Sequence, residues 1–231
     1  GINLWESNDG GQNWDINASS GNGSNYSYMH VDQHALEFNP LNNSVYAGND
    51  GGIYKWRNDL NRWLDISDGL EISQFYKLGV SQSNENKIVA GAQDNGSHLR
   101  SNTFNWSEVT GGDGMDNGVD AVNDNIIYTS VYYGDFYRSN NGGAFFSPIN
   151  NLSPAGSGNW VTPFNVDPVI SNTIYAGFTR LWKSVNGGQS WSATSTNNVN
   201  GNSNIDEFEV AKSNSNFKKL NYMSKEGSLG A

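Results

Sequence analysis

The chain has 231 residues, of which 35% are hydrophobic and 16% charged, with 27 Gly but only 5 Pro. This composition is typical of a turn-rich all-β protein and argues against a helical or a disordered one. The net charge of -10 and the lack of a basic stripe argue against a nucleic-acid partner. The absence of cysteine excludes disulfides and thiolate chemistry, and no apolar run approaches the roughly 18 residues that a transmembrane segment needs.

A turn motif of the form Ser-x-Asp/Asn-x-Gly-x-x-aromatic recurs along the chain. In this motif Asp or Asn accepts hydrogen bonds from nearby backbone N–H groups and Gly takes positions of positive φ. We expect the aromatic residue to pack between neighbouring sheets. The three copies consist of Ser7, Asp9, Gly11 and Trp14; of Ser139, Asn141, Gly143 and Phe146; and of Ser184, Asn186, Gly188 and Trp191.

Short apolar strands run in phase with this motif, over residues 44–48, 87–91, 126–130 and 173–177. Each repeat therefore has four short strands in about 40–50 residues, the length of a propeller blade. The sequence predicts an all-β fold, a β-propeller with four-stranded antiparallel blades, in which residues 1–231 form four full blades and partial blades at both ends. Because a propeller closes to remove free sheet edges, we expect one segment of a ring of six to eight blades. The alternative is a small ring closed by pairing the two end pieces.

The turn motif resembles the Asp-box, or BNR repeat, of sialidases, sortilin-type propellers and xyloglucanase-like glycoside hydrolases. An ordered series of segments between the motifs resembles large secreted bacterial proteins of the sortilin-like or glycosyl-hydrolase-like type, many of them from Bacteroidota. These segments are residues 29–36, 48–54, 74–76, 91–97 and 111–115. The resemblance covers about residues 1–195 and implies a secreted or cell-surface protein. It implies a fold more than a reaction.

The first strand of each blade lines the channel of a propeller, and ligands bind at one channel mouth. Along an extended strand His30, Asp32 and His34 would point to one face. These residue types suit Zn²⁺ or another divalent metal. The alternative is a polar channel site in which Asp32 holds one tautomer of a histidine.

Carboxylates are the second class of candidate. Asp113, Asp116 and Asp120 lie among glycines, where they would either bind calcium or form turns. Glycoside hydrolysis needs two carboxyl groups across a cleft. The channel-side candidates for that role are Asp32, Asp113, Asp116, Asp206 and Glu207.

Aromatic side chains outside the repeat positions are candidates for stacking on a sugar. They are Trp160 and the pair Tyr132 and Tyr133, whereas the other tryptophans match core positions of the blades. Gln74 is a further channel-side candidate for ligand binding. The leading hypothesis is a module that binds a glycan or an extracellular protein through channel-mouth loops. The alternatives are a polysaccharide-cleaving hydrolase of xyloglucanase-like type and an architectural segment of a large adhesin.

Overall fold

A computed structural model describes residues 1–21, 25–70, 73–101, 104–149, 152, 155–194, 196–198, 201–212 and the backbone of 220–223. These residues form 21 β-strands and one 3₁₀ turn, Tyr132–Gly134, and contain no α-helix. No helix capable of crossing a membrane occurs in this described part of the chain. The chain divides into two compact units, Gly1–Ile72 and Ser73–Ala231.

The first unit contains a three-stranded and a four-stranded sheet. In the smaller sheet β1 pairs antiparallel with β2, and β3 joins β2 in parallel. The larger sheet is an antiparallel meander in chain order, β4 to β7. The strands of this unit are β1 (Leu4–Glu6), β2 (Asp15–Ser19), β3 (Ser27–Tyr28), β4 (Gln33–Asn39), β5 (Ser44–Asn49), β6 (Gly52–Arg57) and β7 (Arg62–Asp65).

The second unit contains three four-stranded antiparallel meanders, β8–β11, β12–β15 and β16–β19, and a two-stranded sheet, β20–β21. The prediction of an all-β propeller fold with four-stranded antiparallel blades is confirmed. The number of blades in a complete ring stays a prediction. The strands are β8 (Phe75–Val80), β9 (Ile88–Ala92), β10 (Gly96–Arg100), β11 (Trp106–Thr110), β12 (Asn117–Val119), β13 (Ile127–Val131), β14 (Asp135–Ser139), β15 (Ser147–Pro148), β16 (Phe164–Val166), β17 (Ile174–Gly177), β18 (Leu181–Ser184), β19 (Ser192–Ala193), β20 (Glu207–Val210) and β21 (Leu220–Met223).

The first strands of successive sheets lie side by side in the second unit: β12 contacts β8 and β16, and β16 contacts β20. A Cβ atom on Gly79 of β8 would lie 2.7 Å from the Cα atom of Gly118 in β12, so the two backbones meet directly. Across from them, Lys77 of β8 forms an ion pair with Glu207 of β20. The first strands therefore surround a common channel, as in a propeller.

Apolar cores fill the space between neighbouring sheets. The largest cluster joins the sheets β12–β15 and β16–β19, where the rings of Phe136 and Phe164 lie 5.5 Å apart. In the first unit Met29, Tyr54 and Trp63 form the centre of a separate cluster. The sheet β12–β15 has an apolar cluster on each of its faces, since a second cluster joins it to β8–β11. This burial between sheets is the main source of stability for blades of such short strands.

The three copies of the turn motif have one hydrogen-bond pattern. The serine hydroxyl accepts the N–H of the motif glycine at 2.8 Å in the pair Ser7–Gly11, 2.9 Å in Ser139–Gly143 and 2.8 Å in Ser184–Gly188. In the first copy, hydrogen bonds from the backbone and side chain of Asn13 and from Ser7 lower the pKa of Asp9 to about 2. The local sequence alone therefore forms the turn.

The aromatic residue that ends the motif behaves differently from copy to copy. Trp191 and Phe146 pack against buried clusters, as expected. Trp14 is 58% exposed, and its indole N–H donates to the carbonyl oxygen of Gly11 at 3.2 Å. The expectation of packing between sheets is therefore wrong for Trp14, because the hydrogen bonds of the turn form without it.

Candidate functional site

The second unit has a channel mouth whose position follows from strand topology. In an antiparallel meander, the start of the first strand and the hairpin between the second and third strands lie at the same end. The starts of β8, β12, β16 and β20 and the hairpins β9–β10 and β13–β14 therefore lie at one end of this unit. This end is called the channel mouth below.

Three aromatic residues form a cluster at the channel mouth. The rings of Tyr132 and Trp160 are stacked, with centroids 5.4 Å apart and an interplanar angle of 11°. The ring of Tyr133 meets both of them edge to face. Tyr132 is 40% exposed, Tyr133 52% and Trp160 39%. This cluster, the aromatic platform, offers apolar ring surface to solvent.

Backbone hydrogen bonds hold the two segments of the aromatic platform together. The N–H of Tyr133 donates to the carbonyl oxygen of Trp160 at 3.3 Å, and the N–H of Gly158 donates to that of Tyr133 at 3.0 Å. Tyr133 has φ 62 and is followed by Gly134 with φ 91. A residue other than glycine rarely adopts a positive φ. The contacts around Tyr133 therefore hold its backbone in this conformation. Backbone contacts thus fix the position of one segment of the platform relative to the other.

Polar groups surround the platform on two sides. The indole N–H of Trp160 donates to the hydroxyl of Tyr76 at 3.4 Å, and that hydroxyl donates to the side chain of Gln93. On the other side, Nδ2 of Asn159 donates to Oδ1 of Asp206 at 2.8 Å. Amide, hydroxyl and carboxylate groups thus lie next to exposed aromatic rings.

A buried carboxyl group lies at the start of β12, close to the ion pair of the channel. Oδ1 of Asp116 accepts the N–H of Asn117 at 2.8 Å, and Oδ2 accepts the N–H of Phe164 at 3.2 Å. Burial raises the pKa of Asp116 to about 7, although these hydrogen bonds and the charge of Lys77 oppose the increase. Asp116 joins the first strand of one blade to that of the next.

The prediction that His30, Asp32 and His34 share one strand face is wrong. Strand β4 begins only at Gln33, and Asp32 has φ 61, which breaks the alternation of an extended strand. The ring of His30 packs against Gly51, and Nε2 of His34 bonds Oδ1 of Asp50. The donor atoms of the three residues do not all lie within 4.8 Å of one another. The structure thus does not bring them together as a metal-ligand set.

The second predicted set of metal ligands consists of Asp113, Asp116 and Asp120, and each of these carboxylates accepts hydrogen bonds from different residues. Asp113 accepts the N–H of Asp94 at 2.8 Å. Oδ2 of Asp120 accepts the N–H of Asn172 at 2.7 Å, and its Oδ1 accepts the N–H of Val122 at 3.0 Å. Asp116 also accepts backbone N–H groups, so all three carboxylates take part in hydrogen bonds of the fold. Calcium binding by these residues stays a prediction.

The remaining candidates lie at the channel mouth or just outside the strands. Gln74 is exposed and directly precedes β8. Asp206 directly precedes β20 and is the one catalytic candidate beside the platform. Tyr76, Gln93 and Asn159 are members of the site that sequence reasoning missed. Tyr76 lies at the start of the first strand β8, Gln93 directly follows the second strand β9, and Asn159 lies in the segment that leads into β16. The available signal was that all three positions belong to the same end of their blades.

A further missed feature is the polar residue that ends the first strand of each blade. These residues are Asn39, Ser81, Asp120 and Asp167, and each accepts the backbone N–H two positions later. Their recurrence at blade intervals was readable in the sequence. Asp120 belongs to this structural series, which explains its burial.

Comparisons with known proteins give structural likenesses only. No family model matches the chain, and no curated protein matches it. A GH74 xyloglucanase from Xanthomonas campestris has a TM-score of 0.46 and 16% identity over 70% of this chain and 30% of that chain. A GH74 enzyme from Niastella koreensis has a TM-score of 0.43 and 16% identity, covering 74% of this chain and 24% of that chain. An auxiliary nutrient binding protein from Bacteroides thetaiotaomicron has a TM-score of 0.48 and 11% identity, covering 83% of this chain and 52% of its own.

The chain thus spans about a quarter to a third of the length of the two GH74 enzymes. Because every one of these TM-scores is below 0.5, the fold assignment depends on the strand topology described above.

Proposed function

We propose that the second unit binds a carbohydrate at its channel mouth, with the aromatic platform as the stacking surface. The observation that supports this proposal is the stacked and exposed pair of Tyr132 and Trp160. A contiguous exposed apolar patch on a protein surface is typical of a binding site for a ligand or partner. A pyranose ring presents a flat apolar C–H face that fits such rings.

The polar groups beside the platform supply the second part of sugar recognition. Asp206 offers acceptor oxygens, while Asn159 and Gln93 offer both donors and acceptors. A sugar has hydroxyl groups that act in both roles, so mixed amide and carboxylate groups suit it better than a single charge type. A few convergent polar groups beside an apolar surface are typical of small-molecule sites. A secreted or cell-surface location accords with this role.

The test is a binding assay with a panel of soluble oligosaccharides, read by isothermal titration calorimetry. Trp160→Ala should weaken binding at least about tenfold, since loss of a stacked aromatic at a hot spot costs about 1–2 kcal/mol or more. Trp14→Ala is the control, because Trp14 is also an exposed tryptophan but lies in the first unit. Equal affinities of the Trp160→Ala and Trp14→Ala variants would contradict the proposal.

One observation favours a second candidate function, glycoside hydrolysis. A carboxyl group with a pKa near 7, as burial gives Asp116, has the property of a general acid. Against this role, Asp116 is only 7% exposed and both its oxygens accept backbone N–H groups. A reducing-end assay on β-glucans and xyloglucan with Asp116→Asn and Asp206→Asn tests the idea. Activity that survives both substitutions would remove these residues from the mechanism.

A further inference from the structure

The charges at the channel mouth narrow the class of carbohydrate. Asp135 directly follows the Tyr132–Gly134 turn and is exposed. Asp206 accepts a hydrogen bond at 2.8 Å from Nδ2 of Asn159, the residue before Trp160. Carboxylates thus flank the aromatic platform on both of its segments.

Two cations lie in the same region: Lys77 is neutralised by a carboxylate, whereas Arg180 keeps its charge beside an aromatic ring. Nζ of Lys77 lies 2.6 Å from Oε2 of Glu207. The guanidinium group of Arg180, on the β17–β18 hairpin, lies 5.8 Å from the ring centroid of Trp182. The chain as a whole carries a net charge of -10. An anionic glycan would therefore meet repulsion at this mouth, whereas a cationic one would meet attraction.

The rings of the aromatic platform also favour a cationic glycan over an anionic one. The face of a tryptophan or tyrosine ring attracts an ammonium group within about 6 Å of its centroid. Asp135 comes two residues after Tyr133 in the chain, and Asp206 accepts a hydrogen bond from the residue before Trp160. A sugar amine next to the pyranose face would contact a ring and a carboxylate together.

We infer that the ligand of the channel mouth is a glycan with free amino groups, such as a glucosamine oligosaccharide, held by stacking on the aromatic platform and by the flanking carboxylates. This inference rests on the proposed carbohydrate-binding function. It goes further by naming the charge of the ligand, which neither the fold nor the structural likenesses supply.

The test uses three hexasaccharides that share one β-1,4-linked gluco backbone and differ in charge: the glucosamine form, the neutral glucose form and the form carboxylated at C6. Binding to the full chain is measured by calorimetry at about pH 5.5, where the amines are protonated, and at low and high salt. We expect the glucosamine form to bind about tenfold tighter than the neutral form, in line with one cation–π contact and one charge pair. The preference should shrink at high salt, and the carboxylated form should bind weakest.

Variants distinguish the preference for an amino sugar from carbohydrate binding as such. Asp206→Asn should reduce the preference for the glucosamine form over the neutral form to about threefold or less. Asp59→Asn, at an exposed carboxylate of the first unit, is the matched control and should leave the preference unchanged. A neutral form that binds as tightly as the glucosamine form would overturn this inference while leaving the proposed function in place. If none of the three oligosaccharides binds, or if Trp160→Ala binds them all normally, the proposed function itself is wrong.

Discussion

Nζ of Lys77 lies 2.6 Å from Oε2 of Glu207, although the two residues are 130 positions apart in the sequence. Lys77 belongs to the first strand of one blade, and Glu207 belongs to the first strand of the blade three repeats later. Their side chains are 38% and 37% exposed, so the pair is hydrated on one side. This ion pair crosses the channel of the second unit close to Asp116. The charge of Lys77 lowers the pKa of Asp116, and the charge of Glu207 raises it.

Substitutions of the ion pair should shift the pKa of Asp116 in opposite directions. Glu207→Gln removes a negative charge that raises the pKa of Asp116, so this pKa should fall. Lys77→Met removes a positive charge that lowers it, so this pKa should rise. The measurement is a titration of the Asp116 carboxyl carbon by NMR. Shifts of the same sign in both variants would contradict the geometry of the pair.

The same two variants should change stability little. An ion pair exposed to this extent contributes only about 0–1 kcal/mol, because water screens it. Chemical denaturation of each variant gives the free energy of unfolding. A loss well above that range would mean that the pair is shielded from water, and that the channel is drier than the exposure of these side chains indicates.

Asp116 should make the second unit less stable as the pH rises from about 4 to about 7. Its pKa is raised from 3.8 to about 7 by burial, so in this window the folded state holds a proton that the unfolded state has released. The stabilisation is full below about pH 3.8 and is lost as the pH rises to about 7, by up to roughly 4 kcal/mol. Urea denaturation at several pH values measures the slope.

Asp116→Asn is the matched variant for this pH dependence, since asparagine keeps the size of the side chain and cannot ionise. Its free energy of unfolding should be flatter with pH over the same window. An unchanged slope in this variant would assign the pH dependence to another group.

Gly79→Ala should destabilise the second unit by about 1–3 kcal/mol or more, because its Cβ atom would lie 2.7 Å from the Cα atom of Gly118 in the neighbouring strand. Backbone atoms cannot move aside as a flexible side chain can. Gly111→Ala is the control, since its Cβ atom would meet only the end of the Glu108 side chain at 3.4 Å. Thermal unfolding compares the two. Equal melting temperatures would mean that β8 and β12 are not in direct backbone contact.

Ser184→Ala should cost about 1–3 kcal/mol, because it leaves the buried N–H of Gly188 without its acceptor. Ser7→Ala removes the same hydrogen bond in an exposed turn, where water replaces the hydroxyl, so its cost should be about 0.5 kcal/mol or less. Denaturant unfolding of the two variants gives both values. A large loss for Ser7→Ala would show that the motif stabilises the fold in any environment.

The repeat was readable in the sequence because it is a local property. Ser, Asp or Asn, and Gly at fixed offsets form the turn through hydrogen bonds among near neighbours, and Trp14 shows that this happens even without burial. Tyr132, Tyr133 and Trp160 stood out as aromatic residues outside the repeat positions. Asp32 shows where such reasoning fails: a single residue with φ 61 breaks the alternation of an extended strand, and no periodic pattern reveals it.

The sequence by itself determined the period, the strand order within each blade and the turn chemistry, because those depend on contacts between near neighbours. Only the tertiary structure decided that Tyr132 stacks on Trp160, that Lys77 pairs with Glu207, and that Asp116 accepts the N–H of Phe164. These contacts join residues 28, 130 and 48 positions apart. Their geometry follows from how one blade packs on the next, which depends on burial across sheets and leaves no local pattern in the chain.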